Sequence, residues 1–452
     1  MASRVTQRSN RTGAPAAAIA IALLVGGCTL LTSLDGLSGG AGSGGGDSGG
    51  GDSGAGDGGL GADGAAAGFS DERLEGQFGG GTFTGTRWAG DHVELAAGVS
   101  AGDFVSRVFD SGAAGVPLAT LRWVPGAPYG KALPDRAQME TGYRASSFDM
   151  TKNVLLVHFE DGLTDSSPLS SVLNGMALGG FAPGVFGKAL VDTPAGYVRT
   201  TVAGAQSAFN FGTDSISWSI WVKSTTPCPG NAVYMGIENP NTGLKPHLWL
   251  GCTPSGADAG SPGRLGDTFC STQSVFDDCA DATGSRVLTN GSWHHMAIVK
   301  SGHASATLSA YLDGSLQGAT SASFQKPIVF DDGVEFAIGA FSKGTYPAEG
   351  VFDEVAVWRR ALTAEEVVAL YRRGAQRLTF QVRSCDDPQC TSVPFAGPSN
   401  DPSRTFVDPS SALGPPQAQA IGPSRRFVQY RAHFESDDAS QSPSLYAVTF
   451  AR

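Results

Sequence analysis

Three features that would indicate an enzyme or a zinc protein are missing from this sequence. No Cys-x-x-Cys pair is present, which disfavours a structural zinc site. No Glu-x-Asp-x-x-Glu run is present, so no strand offers the carboxylates, about 5 Å apart across a cleft, that retaining glycoside hydrolysis needs. No Gly-x-Ser-x-Gly turn joins a predicted strand to a predicted helix, as a serine hydrolase requires. The sequence therefore predicts a protein without these activities.

Positive charge and long apolar runs are also scarce. Lysine and arginine together number 31 against 42 aspartates and glutamates, which gives a net charge of −11. Such an acidic chain is a poor partner for nucleic acid and for anionic membrane surfaces. The apolar run near the N-terminus, residues 14–25, is too short to span a bilayer.

The N-terminus nevertheless has the features of an export signal. Three arginines precede the apolar run, and small residues lead from it to Cys28. This pattern resembles the lipobox of bacterial lipoproteins, which implies removal of residues 1–27, lipid on Cys28 and membrane attachment through acyl chains alone. An ordinary secretory signal followed by a chance cysteine is the alternative. Either interpretation predicts an exported protein.

Six cysteines follow Cys28, and an even number in an exported chain indicates disulfides. The sequence alone does not choose among the possible pairings, and a zinc site remains the competing interpretation. Because two pairs are close enough to close local loops, the favoured set is Cys270–Cys279, Cys385–Cys390 and, by remainder, Cys228–Cys252.

Alternating apolar and polar residues predict β-strands in both flanks of a long central part. Neither flank has enough strands for a core of its own, but together they make a plausible second sandwich. The two flanks also look like one contiguous module of bacterial surface proteins, cut between Pro125 and Arg377. The strands predicted in the flanks are 103–110, 118–124, 378–384, 427–434 and 445–450.

A strand followed by a short helix is predicted near the end of the central part. Val351 to Trp358 is apolar on both faces, as in a strand that is covered on both sides. Thr363 is placed as an N-cap, Glu366 as its partner in a capping box, and Gly374 as the residue that ends the helix.

Several stretches of the central part resemble laminin G-like domains of the concanavalin A-like lectin/glucanase superfamily. The resemblance extends over about residues 150–375 and implies a jelly-roll sandwich. The predicted fold is therefore all-β, with a concanavalin A-like jelly-roll sandwich inserted in a second, smaller β-sandwich domain. The stretches are Gly184–Leu190 (G-x-F-G-x-A-L), Trp293–Ala297 (W-H-H-x-A), Tyr311–Gly314 (Y-L-D-G) and Asp353–Val367 (D-E-V-x-V-W-x-R-A-L-T-x-E-E-V).

The sequence predicts five segments. Glycine, serine and aspartate dominate much of the second segment, and such a composition stays flexible and solvated. The segments are a signal peptide (1–27), a lipid-anchored tether (28–90), the first part of the outer sandwich (91–149), the laminin G-like domain (150–375) and the second part of the outer sandwich (376–452).

The resemblance also implies a structural Ca²⁺ ion, since many domains of this kind hold one in loops that supply hard oxygen ligands. The positions that correspond are Asp161, Asp165 and Asp353. The alternative is that these acids only cap turns and the start of a strand.

Ligand binding is expected at the rim loops, where Tyr234, Trp249, Asp277 and Asp278 could stack on or hydrogen-bond a sugar. The alternation around Trp249 also suits a core position. The resemblance and the missing motifs predict a non-catalytic binding or adhesion lipoprotein of the bacterial cell envelope, anchored at the outer membrane or cell surface. Its partner would be carbohydrate or an extracellular or envelope protein. The alternatives are a structural spacer and a polysaccharide-degrading glycoside hydrolase.

Overall fold

The fold is described from a computed structural model. All described residues belong to one compact unit, 64–452. Cys28, the predicted signal and most of the predicted tether lie outside them. The described residues are 69–72, 78–111, 118–126, 129–140, 147–160, 162–204, 207–228, 230–239, 246–256, 261–271, 278–407, 419–421, 425–438 and 440–451.

Twenty-six strands and one α-helix are found in the described residues, with 3-10 turns at Asp135–Ala137, Ser342–Gly344 and Pro398–Asn400. The first flank contains β1 (Phe69–Glu72), β2 (Thr82–Thr84), β3 (Thr86–Trp88), β4 (Val93–Leu95), β5 (Ala101–Val105), β6 (Phe109–Asp110) and β7 (Thr120–Pro125). The central part contains β8 (Asn153–Val157), β9 (Asn174–Met176), β10 (Gly180–Pro183), β11 (Lys188–Asp192), β12 (Tyr197–Thr201), β13 (Ile216–Lys223), β14 (Ala232–Glu238), β15 (His247–Pro254), β16 (Gly263–Cys270), β17 (Cys279–Ala280), β18 (Trp293–Ser301), β19 (Ala306–Leu312), β20 (Ser315–Ala322), β21 (Glu335–Ile338), β22 (Gly350–Trp358) and α1 (Ala364–Ala375). The second flank contains β23 (Gln376–Cys385), β24 (Gln419–Ala420), β25 (Phe427–Ser436) and β26 (Leu445–Ala451).

Two antiparallel sheets face each other in the central domain. One has eight strands in the order β10-β11-β22-β13-β18-β19-β20, with β8 also paired to β22. The other has seven strands in the order β17-β16-β15-β14-β21-β12-β9. Trp218 fills the space between them, with its ring 5.1 Å from Phe269 and 5.4 Å from Phe336. The alternation of Ile216–Val222 that predicts a sandwich strand therefore corresponds to β13, which directs Trp218 into the core.

The outer sandwich is built from both flanks of the chain. Its two sheets have the orders β24-β7-β26-β4-β3, with β1 beside β26, and β2-β5-β25-β23, with β6 beside β25. In its core, Trp123 from the first flank stacks on Phe380 from the second, with ring centroids 4.4 Å apart. This arrangement confirms the predicted fold class, a jelly-roll sandwich inserted in a smaller β-sandwich.

Two predicted limits in the first flank are wrong. The outer sandwich begins before residue 91, because β1 to β3 already pair with its sheets. The strand predicted over 103–110 is two strands, β5 and β6, separated by residues 106–108. At the break, the Ser106 amide donates to the Tyr430 carbonyl at 3.0 Å, and the Ser106 hydroxyl accepts from the Tyr430 amide at 3.1 Å.

Helix α1 begins as the sequence predicts. The Thr363 hydroxyl accepts from the Glu366 amide at 3.2 Å, and the Glu366 carboxylate accepts from the Thr363 amide at 2.8 Å. Gly374 does not end the helix, which runs to Ala375 and continues directly into β23. Glycine is needed there for packing, because a Cβ at Gly374 would lie 2.6 Å from the Trp221 ring.

The structure contains the three disulfides favoured by the sequence. Two of them brace the seven-stranded sheet, and the third closes the short loop that follows β23. The pairs are Cys228–Cys252, Cys270–Cys279 and Cys385–Cys390.

Residues 129–140, which we call the strap, lie between the first flank and the central domain and are pinned to α1. The Arg373 guanidinium donates to the Lys131 and Ala132 carbonyls and pairs with Glu140 at 2.6 Å. The Arg373 carbonyl in turn accepts from the Gly130 amide at 2.6 Å. Since α1 continues into β23, both connections between the two sandwiches meet at the end of this helix.

Candidate functional site

Two of the three predicted calcium ligands, Asp165 and Asp353, lie among the described residues. Asp161 lies outside those residues. The Asp165 carboxylate accepts three backbone N–H groups, which fits the alternative that this acid holds a turn. These donors are the amides of Leu156 at 3.0 Å, Ser167 at 2.9 Å and Ser171 at 2.7 Å.

Asp353 is the predicted calcium ligand whose carboxylate could accept a further interaction. Its side chain is fully buried, and Oδ2 accepts from the Phe186 amide at 2.9 Å. Oδ1 has no well-oriented hydrogen-bond partner among the described residues, although the Val185 and Glu354 amides also act on the carboxylate. Burial, with the neighbouring charge of Glu354, raises the pKa of Asp353 well above its usual value. Within the described part of the chain, no three Asp, Glu, His or Cys side chains cluster closely enough to hold a metal. The calcium site therefore stays a prediction.

A buried histidine flanked by two carboxylates lies beside Asp353. His158 Nδ1 is 2.6 Å from Glu354 Oε2, and His158 Nε2 is 2.9 Å from Asp135 Oδ1 in the strap. Burial alone would lower the pKa of His158, but the Glu354 charge and the hydrogen bonds to both acids raise it to about 10. Both acids therefore favour the protonated imidazole, and the three side chains link the strap to β22.

One Gly-x-Ser-x-Gly sequence lies in a turn between two strands. Gly98 to Gly102 reads Gly-Val-Ser-Ala-Gly, but it joins β4 to β5 rather than a strand to a helix. Ser100 is exposed there, and its carbonyl accepts a hydrogen bond from the Ser436 amide at 2.9 Å. This turn is not a nucleophile elbow.

Two predicted ligand-binding residues are buried, and a third lies outside the described residues. Tyr234 is 1% exposed and packs in the core with its ring 5.4 Å from Phe352. Asp278 is also buried, and its carboxylate accepts from the Gln325 amide at 3.0 Å and from the Ser271 hydroxyl at 3.1 Å. Asp277 is not described. The interpretation of Tyr234 and Asp278 as exposed contacts is therefore wrong, because both side chains are occupied within the fold.

Trp249 lies on the outward face of the seven-stranded sheet but is covered. Its neighbours Leu248 and Leu250 belong to the main core, whereas Trp249 clusters with Val233 and Phe341 and is 6% exposed. The loop after β21 covers it. In that loop Tyr346 is 55% exposed, with its ring 5.9 Å from Phe341. Tyr346 is therefore an exposed aromatic on this side of the domain.

A polar cleft of about 210 Å³ opens at one end of the same sheet, and we call it the rim cleft. Three segments form it: the end of β14, the turn before β21 and the 3-10 turn after β21. Most of its lining side chains are polar or charged. The lining residues are Asn239, Asp331, Asp332, Gly333, Val334, Glu335, Ser342 and Lys343.

Asn239 has unused hydrogen-bonding capacity in this cleft. The side chain is 2% exposed, and its Oδ1 accepts from the Asp331 amide at 3.2 Å. Its Nδ2 has no hydrogen-bond partner among the described residues. A buried donor without a partner costs about 1–3 kcal/mol. The cleft therefore favours a ligand that offers an acceptor to this amide.

The acidic groups of the rim cleft are held by the fold. Glu335 pairs with Arg199 and accepts from the Lys343 amide at 2.9 Å. Asp332 Oδ1 accepts from the Gly204 amide at 2.7 Å. The Lys343 side chain is exposed at the edge of the cleft. Fixed acceptors beside an amide and an ammonium donor suit a ligand that carries both donors and acceptors, such as a sugar with its hydroxyl groups.

The sequence analysis did not identify the rim cleft. Asn239-Pro240 and Asp331-Asp332-Gly333 are turn signals, and turns of this kind can be found from sequence. Their meeting depends on the pairing of β14 with β21, which is a long-range contact. No local pattern contains that information.

The comparison with protein families agrees with this architecture. Residues 195–368 match the laminin G family model described as the concanavalin A-like lectin/glucanases superfamily. This part of the chain is therefore a laminin G-like domain of that superfamily. No curated protein matches the chain at a significant level.

Solved structures resemble the chain only weakly. Domain 4 of AbnA, an extracellular arabinanase from Geobacillus stearothermophilus solved with arabinotriose, is 20% identical, with a TM-score of 0.36 over 49% of this chain and 98% of that domain. The binding domain of Paraclostridial Mosquitocidal Protein 1 is 14% identical, with a TM-score of 0.37 over 52% and 58% of the two chains. The botulinum neurotoxin serotype G binding domain is 13% identical, with a TM-score of 0.34 over 51% and 56%. Scores below 0.5 carry no conclusion about ligand or activity.

Proposed function

We propose that this protein is a non-catalytic saccharide-binding protein of the bacterial cell envelope, and that its laminin G-like domain binds the sugar in the rim cleft. The unpartnered Nδ2 of buried Asn239 is the observation that carries this proposal. A sugar hydroxyl can accept from this amide and donate to the acidic groups beside it.

Removal of the Asn239 amide is expected to weaken sugar binding by the full-length protein. A glycan array first identifies the bound saccharide, and calorimetry then compares the wild type with Asn239→Leu and Lys343→Ala. Each variant should bind about tenfold more weakly, because each loses about one hydrogen bond to the ligand.

Lys326→Ala is the matched control, since Lys326 is exposed on the same domain but does not line the cleft. It should leave the affinity unchanged. If wild type and Asn239→Leu bound the array ligand with equal affinity, the proposal that the sugar binds in this cleft would be wrong. An array on which no glycan binds would instead favour a spacer or a protein-binding adhesin.

We further propose that Cys28 carries lipid and anchors the protein to the bacterial envelope. The lipobox-like sequence before Cys28 supports this proposal. Metabolic labelling with a radioactive fatty acid should label the wild type and not Cys28→Ser. An unlabelled wild-type protein that keeps Cys28 would refute it.

The implied Ca²⁺ ion is also retained as a proposal. The Oδ1 atom of Asp353 supports it, because this buried carboxylate oxygen has no well-oriented hydrogen-bond donor and such an oxygen suits a hard cation. EDTA should then lower the melting temperature, and added Ca²⁺ should restore it. A melting temperature that is unchanged by EDTA and by added Ca²⁺ would exclude a structural ion.

A further inference from the structure

A second polar surface lies on the outer sandwich, far along the chain from the rim cleft. We propose that it binds uronate residues of an acidic polysaccharide, with the sugar carboxylate on Arg431 and Arg383. We call this surface the arginine face and define it by these two arginines and Phe395. The proposal does not depend on sugar binding by the laminin G-like domain.

The strand register places the two arginines on one face. In the antiparallel pair of β23 and β25, Arg383 lies opposite Gln429, and Arg431 lies opposite Gln381. The alternate residues Val382 and Tyr430 point into the core. Side chains on one face at diagonal positions lie about 7–8 Å apart, so the two guanidinium groups are neighbours.

Both guanidinium groups converge on one aromatic ring. The Cζ atom of Arg383 is 4.4 Å from the centroid of Phe395, and that of Arg431 is 5.4 Å from it. The ring attracts each cation, but the two cations repel each other. An anion between them would relieve this repulsion.

The partners of these arginines are neutral. Both Nε and Nη2 of Arg383 donate to Gln429 Oε1, at 2.9 and 2.6 Å, and Nη2 of Arg431 donates to Gln381 Oε1. Among the described residues, no carboxylate lies within ion-pair distance of either guanidinium, and Asp387 acts on Arg383 only at longer range. In contrast, four other arginines of this domain hold carboxylates: Arg87 with Glu94, Arg377 with Glu435, Arg425 with Asp386 and Arg426 with Asp110.

A cleft of about 230 Å³ lies beside Arg431 and suits a single sugar ring. Its hydrogen-bonding groups include hydroxyls, an imidazole and a carboxylate, and His433 Nδ1 is held 2.7 Å from Asp103 Oδ1. Hydroxyl-recognising groups next to paired guanidinium groups match a sugar that carries a carboxylate. A simple inorganic anion would use the arginines and leave the cleft empty. The lining side chains are Asp103, Thr379, Gln381, Thr405, Arg431 and His433, with Phe380 beneath.

The test measures binding of two uronate probes to the full-length protein by calorimetry: tetragalacturonate and a hyaluronan tetrasaccharide. At least one should bind, and binding should weaken with added NaCl because the attraction is ionic. The methyl ester of the probe that binds keeps the ring hydroxyls and loses the charge. It should therefore bind at least about tenfold more weakly than the acid. Arg431→Gln should weaken binding about 10- to 100-fold, the loss expected for charge-assisted hydrogen bonds.

Arg426→Gln is the matched control. Its guanidinium also lies over a phenyl ring, 5.0 Å from the centroid of Phe427, but it already holds Asp110. This variant should keep wild-type affinity. If Arg431→Gln proves unstable by thermal melting, Arg383→Gln takes its place with the same expectation. Absence of binding by both probes at millimolar concentration, or equal binding of acid and ester, would overturn the proposal.

Discussion

Replacement of Arg373 by methionine is expected to lower the free energy of unfolding by about 3–5 kcal/mol. The side chains of Arg373 and Glu140 are only 5% and 2% exposed. The variant would keep the apolar stem of the arginine but leave the Glu140 carboxylate buried without its counter-charge. It would also leave the Lys131 and Ala132 carbonyls without their donor. Urea denaturation of the full-length protein, followed by tryptophan fluorescence, measures the loss.

Two further variants distinguish the cost of leaving a buried charge unpaired from the cost of losing an ion pair. Adding Glu140→Gln to Arg373→Met removes the stranded charge and should recover at least about 1 kcal/mol. Arg426→Met breaks an exposed pair with Asp110 and should cost about 0–1 kcal/mol. A cost below about 1 kcal/mol for Arg373→Met would show that the strap is not held by this pair.

The fold could be predicted from sequence because its signals are local. The capping box at Thr363, the alternation along β13 and the family motifs each lie within a few consecutive residues. The orientation of Tyr234 could not be predicted, since it depends on a β-bulge. The register between β14 and β15 shifts between Val233 and Met235, and both Tyr234 and Met235 face the core as a result.

The residues of the two proposed binding surfaces could not be predicted from sequence for the same reason. Asn239 is unremarkable in sequence until β21 lies beside β14, and Arg431 is one of many arginines until the register of β25 with β23 is known. The role of Gly374 in stability likewise depends on a contact that is distant in sequence. Its sequence position suggests a helix end, but its close approach to Trp221 explains why glycine stands there.

Replacement of Asp192 by asparagine is expected to stabilise the protein increasingly as pH rises from 4 to 8. Asp192 is 3% exposed, and neither carboxylate oxygen has a well-oriented hydrogen-bond partner among the described residues. Burial raises its pKa to about 7, and the nearby Thr193 amide only partly opposes this shift. The carboxylate is packed against Gly196 and Gly339, where an added Cβ would collide with its oxygens.

The sign of this pH dependence follows from the numbers of protons that the native and unfolded states bind. Between the ordinary pKa of an aspartate, about 4, and the folded value, the native state binds more protons than the unfolded state. Stability that depends on Asp192 is therefore present at low pH and lost as pH rises through about 7. Asparagine keeps the shape without the charge, so its advantage should grow from near zero at pH 4 to about 2–4 kcal/mol at pH 8.

Thermal and urea unfolding of wild type and Asp192→Asn across this pH range measure the difference, and contributions from other titrating groups cancel between them. Asp401→Asn is the control, for which a loss of stability is expected instead of a gain. Hydrogen bonds from the Ser403 hydroxyl and amide lower the pKa of Asp401, so its variant should lose stability at pH 8 by an amount that stays constant down to about pH 5. If Asp192→Asn destabilised the protein equally at pH 4 and pH 8, the Asp192 carboxylate would have to be satisfied by a cation or water.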